Sequence, residues 1–70
     1  MFVIAKRDTY IMNMHNTEDE KTIAEGTRMF HITSDRHTRW LDPDEICVYL
    51  PEYKQVHFTY KGDWEIAPAY

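Results

Sequence analysis

Residues 46–67, ICVYLPEYKQVHFTYKGDWEIA, decide the fold class. Ile46, Val48 and Leu50 share one face of an extended segment. Val56, Phe58 and Tyr60 share one face of a second, and Trp64 and Ile66 one face of a third. Strand side chains alternate faces, so each segment buries one side and wets the other. Pro51-Glu52-Tyr53-Lys54 turns the chain between the first two segments, and Lys61-Gly62-Asp63 between the last two. The last pair is expected as a hairpin with Tyr60 facing Trp64 and Phe58 facing Ile66, where Gly62 makes the loop conformation cheap. This phase predicts a core of Phe30, Trp40, Phe58, Tyr60 and Trp64, with Ile32, Val48, Val56 and Ile66 between the rings.

Upstream, Asp42-Pro43-Asp44-Glu45 is a helix-start signature: Asp42 caps, Pro43 suits the first helical position, and Glu45 has the capping-box spacing. The β-branched, alternating residues after it predict one helical turn at 43–45 followed by a strand. A two-turn helix over 43–50 is the rival. Thr27–Thr33 and Thr38–Leu41 read as a hairpin about Ser34–His37, with Trp40 opposite Phe30. Asn16–Glu25 carries Thr17 and Glu20 at capping-box spacing but little apolar content, which predicts an acidic loop or a short helix ended by Gly26. Phe2–Met14 alternates throughout and reads as a hairpin about Arg7-Asp8-Thr9, or as one long strand. Pro68-Ala69-Tyr70 is a tail.

The sum is one domain over 1–70 of all-β class, or α+β if one short helix forms. Five to seven short antiparallel strands at these spacings suit a small SH3-like or OB-like barrel. Hydrophobic residues at 43% and aromatics at 14% favour a folded chain over a disordered one. Cys47 is the single cysteine, which excludes an internal disulfide and points to a reducing compartment. No apolar run nears the roughly 20 residues a membrane helix needs, and Lys6, Arg7 and Asp8 interrupt the apolar start. A cytoplasmic protein without membrane contact is expected.

The formal net charge is −4. Residues 27–41 hold three arginines against one aspartate, while the rest holds five basic and eleven acidic residues. An acidic body argues against general nucleic-acid binding and suits a partner with a basic surface.

The residues that carry chemistry are sparse. His31, His37, Cys47 and His57 are zinc-type ligands, but no paired spacing joins them, and a set of solvated histidines with a packed cysteine is the simpler reading. Cys47 with His57 is the sole nucleophile–base pair worth naming, and there is no glycine-rich phosphate loop. The chain is therefore expected to be non-catalytic, without metal or cofactor. The leading expectation is a small protein-binding regulator or inhibitor of a larger protein. Its site is placed on Glu18, Asp19, Glu20 and Glu25, with Tyr49 and Tyr53 nearby. In size and charge the chain is comparable to phage-encoded proteins that act on a host, a class analogy only. The alternative is single-stranded nucleic-acid binding by the 27–41 hairpin through Arg28, His31, Arg36, His37 and Arg39, with Phe30 and Trp40 as stacking rings. Against it stands the expectation that both rings face the core. An edge strand over 63–67 would also allow a homodimer.

Overall fold

The computed structural model describes residues 1–50, 52 and 54–67. Seven antiparallel strands form one sheet: β1 (Phe2–Ala5), β2 (Thr9–Asn13), β3 (Asn16–Ile23), β4 (Arg28–Ile32), β5 (Glu45–Leu50), β6 (Gln55–Tyr60) and β7 (Trp64–Ile66). One helical turn, α1 (Asp35–Thr38), lies between β4 and β5, and a 3-10 turn over Lys61–Asp63 leads into β7. The strand order is β3-β2-β6-β5-β4-β1-β7. All-β architecture is borne out. The sheet ends at β3 and β7 and does not close on itself, so barrel closure is not established.

The first thirteen residues enter the sheet twice. β1 lies between β4 and β7, and β2 between β3 and β6. The bend at residues 6–8 separates them, so the Phe2–Met14 hairpin does not form. Asp63 holds this corner. Its carboxylate accepts from Thr9 Oγ1 at 2.8 Å and from Arg7 at 3.0 Å, and its carbonyl accepts from Lys6 N at 2.8 Å. The chain returns to the same corner at Gly26, whose N–H donates to Ala5 O at 2.8 Å. Gly26 has φ +87°, a conformation that only glycine adopts without strain.

The inner face carries Val3, Ala5, Ile11, Ile23, Met29, Val48 and Trp64, with Ile46 packed against them. Burying each large side chain contributes about 1.5–3 kcal/mol. Trp64 Nε1 donates to Thr59 Oγ1 at 3.0 Å, and Thr59 Oγ1 donates to Tyr10 O at 2.9 Å, so the ring is both packed and satisfied.

The phase read from the sequence holds for Ile46, Val48 and Trp64 and is inverted in β4 and β6. Phe30, Trp40, Tyr60 and Ile66 are exposed, and Phe58, Val56 and Ile32 are half-buried on the outer face. His57 and Thr59 are the buried members of β6. The 27–41 hairpin also fails. Phe30 pairs with Tyr49 of β5, and Ser34–Leu41 turns through α1 instead of returning as a strand. The last hairpin fails likewise: β7 pairs with β1, placing Trp64 opposite Ala5. Asn16–Ile23 is a strand paired to β2 across the turn at Met14-His15, and that hairpin overrides a weak helix preference. A turn forms at Asp42–Glu45, but it is a hydrogen-bonded turn and not the expected helical one, and Glu45 already belongs to β5. Glu45 N donates to Asp42 O at 3.0 Å and Asp42 N to Glu45 Oε1 at 2.9 Å, after which the chain runs as β5.

Candidate functional site

The outer face divides into a covered and an open half. α1 and Met14 cover the half around Ile32, Cys47 and Phe58. Cys47 Sγ donates to His37 O at 3.4 Å and lies 3.6 Å from Met14 Sδ. Nothing among the described residues covers the other half, where Phe2, Phe30 and Tyr49 stand side by side on β1, β4 and β5. Phe2 is 43% and Phe30 44% exposed. Their rings meet edge-to-face with centroids 5.5 Å apart. The Arg28 guanidinium sits over the Phe2 ring at 4.8 Å. Phe2, Arg28, Met29, Phe30 and Tyr49 line an open apolar recess of about 380 Å³. Contiguous exposed apolar surface of this kind marks interaction sites, and aromatic residues with arginine are the usual hot-spot set.

The acidic set is only partly brought together. Glu18, Asp19 and Glu20 lie on β3, at the opposite end of the sheet from β7, and Glu25 lies in the turn after β3. Glu18, Glu20 and Glu25 are exposed. Tyr49 lies on β5, with β2 and β6 between it and β3, and does not join them. Tyr53 lies outside the described residues. Asp19 faces inward and has a structural part: its carboxylate accepts from Lys21 Nζ at 2.7 Å and from Asn13 Nδ2 at 3.3 Å. The lysine bond holds its carboxyl below the usual range.

These two bonds belong to a closed polar ring at one end of the inner face. Asn13 Nδ2 also donates to Gln55 Oε1, the Gln55 carbonyl lies 3.0 Å from His57 Nδ1, and His57 Nε2 lies 3.4 Å from Lys21 Nζ. His57 is fully buried, and burial pushes its pKa below the ordinary value. The sequence reading placed His57 in solvent, and the ring went unseen. The signal available was Asn13, Gln55, His57 and Thr59 alternating with apolar neighbours, the opposite phase to the one chosen.

The alternative set is spread over two elements and one flanking residue. Arg28 and His31 lie on β4, Arg36 and His37 on α1, and Arg39 just after it; the three arginines are exposed and both histidines half-buried. One His31 ring atom, Nδ1, is buried without a hydrogen-bond partner. Among the described residues no three His, Cys, Asp or Glu side chains converge as a metal site. Cys47 and His57 sit on opposite faces of the sheet, since Cys47 pairs with outward Phe58 and His57 with inward Val48. Burial pushes the Cys47 thiol up to about 11, so it stays protonated at neutral pH. No helix of the described residues is long and apolar enough to cross a membrane. No protein-family model matches the chain, and no curated protein or solved structure shows significant similarity to it.

Proposed function

We propose that the protein is a non-catalytic binding domain that docks onto a larger protein, acting as its regulator or inhibitor. The docking surface is the open outer half formed by Phe2, Arg28, Phe30 and Tyr49. The observation that supports this is the exposure of rings around one arginine over an apolar recess, in a chain small enough that such rings would otherwise serve the core. The exposed carboxylates of β3 lie strands away from this patch. They steer a partner with a basic surface and raise the association rate more than the affinity.

The test is capture from nuclease-treated lysate with three baits: the parent, a Phe30→Ala/Tyr49→Ala variant, and a Glu18→Lys/Glu20→Lys variant. Asp19 is left intact because it bonds inside the fold. The expected result is one protein held by the parent, lost by the ring variant, and kept but bound more slowly by the β3 variant. A ring variant that retains the protein would refute the assignment.

A specific observation keeps nucleic acid as a second reading. Phe30 and Trp40 are exposed, as are Arg28, Arg36 and Arg39, so the rings are available for base stacking. Retention on immobilised single-stranded DNA at low salt, lost steeply as salt rises and abolished by Phe30→Ala, would favour it.

A further inference from the structure

We propose that Lys21 and His57 form an acid-sensitive latch that holds β3 onto the sheet, and that protonating His57 releases this edge strand. The bonding pattern sets the starting state. Gln55 O only accepts, so His57 Nδ1, 3.0 Å away, carries the proton. Lys21 Nζ only donates, so His57 Nε2, 3.4 Å away, presents its lone pair. A proton taken up at Nε2 removes that acceptor and sets two cations against each other beside a fully buried ring.

Among the described residues, the groups facing His57 are these. β3 contributes Lys21 and Asp19, two charges that act on the ring. β2 contributes neutral Asn13 at the paired position. β5 contributes Val48, with His31 of β4 on its far side in the same cross-strand row. Asp19 already bonds Lys21 and Asn13, so it offsets one positive charge and not two. The lowered pKa of His57 has the same origin, burial first, with Lys21 adding to it.

β3 is the element that yields. It pairs on one side only, and Ile23 is its single buried side chain. Strands held by so little open at lower cost than the centre of a sheet. Its release bares the backbone of β2, whose other edge stays paired to β6.

The experiment is NMR on the whole chain as pH falls from neutral. Imidazole nitrogen shifts should show the Nδ1–H form of His57 at neutral pH and a midpoint below that of an exposed histidine. Amide exchange, corrected for its intrinsic pH dependence, should rise across residues 16–23 before it rises across β5 and β6. Lys21→Met should move the His57 midpoint up and remove the selective loss of β3. An Nε2–H form, parallel loss of protection in β3 and β5, or an unchanged acid response in Lys21→Met would each overturn the proposal. If the variant does not fold, the tautomer and the order of exchange in the parent decide alone.

Discussion

At the scale of the residue, the two tryptophans make a controlled comparison. Trp64 is 6% exposed with its indole N–H bonded, whereas Trp40 is 79% exposed. Trp64→Ala should cost about 3–5 kcal/mol, close to the whole stability of a small domain. Trp40→Ala should change stability by no more than about 0.5 kcal/mol. Paired thermal melts check both, and a large loss at Trp40 would contradict the placement. Cys47 gives a second expectation. A buried thiol pushed up to about 11 has neither the access nor the thiolate that alkylation needs. Iodoacetamide at mildly alkaline pH should label the native chain far more slowly than the urea-unfolded chain. Equal rates would mean that Cys47 is open to solvent. Trp64 was legible in the sequence because its segment has one apolar phase that pairing respects. Phe30 was not, because both faces of β4 and β5 carry apolar side chains; Phe58 was not, because β6 turns its polar phase, His57 and Thr59, inward and its apolar phase outward. Part of the outer face is covered by α1 and part is open, and period-two alternation cannot rank two apolar faces.

At the scale of the element, strand existence was readable and strand partnership only in part, as where β5 and β6 pair as the expected turn between them implies. β1, β2, β4, β5, β6 and β7 all fall on stretches read as extended, and the Asp42–Glu45 turn followed from its capping residues. The expected partners were sequence neighbours, yet β1 pairs with β4 and β7. That choice is made by the corner at residues 6–8, which depends on a side chain more than fifty positions away. The clamp is testable. Asp63→Ala leaves buried Thr9 without its acceptor and should cost about 1–3 kcal/mol in denaturant unfolding. Arg7→Ala removes only the exposed half of the clamp and should cost less than about 1 kcal/mol. Equal losses would show that the ion pair, not the threonine bond, holds the bend. Gly26→Ala should also destabilise because of its φ of +87°, while Gly62→Ala, with nothing near its Cβ position, should be tolerated.

At the scale of the molecule, His57 ties stability to pH. Its folded pKa lies below the ordinary value, so the unfolded chain binds the proton first as pH falls. The stability this contributes is present above the unfolded histidine pKa and is lost as pH drops toward the lower folded value. Unfolding midpoints measured from neutral to mildly acidic pH should fall across that window, and His57→Gln should flatten the fall. A parent midpoint that does not change with pH there would refute it. Charge distribution was legible in part at this scale, since Glu18 and Glu20 stand exposed on β3 while Asp19 turns inward to Lys21. The exposure of Phe2 and Phe30 was not, because exposure is a property of the finished sheet.

The double entry of residues 2–13 has a consequence for how the chain is made. β1 sits between β4 and β7, so one of its edges can pair once residues 28–30 are made, while the other waits for residues 64–66. Closing so long a loop carries its entropic cost before any contact rewards it. The β1–β7 pairing is therefore the costliest in the sheet to close. Until β7 arrives, β1 is an edge strand of the growing sheet, with Val3 paired on its β4 side alone.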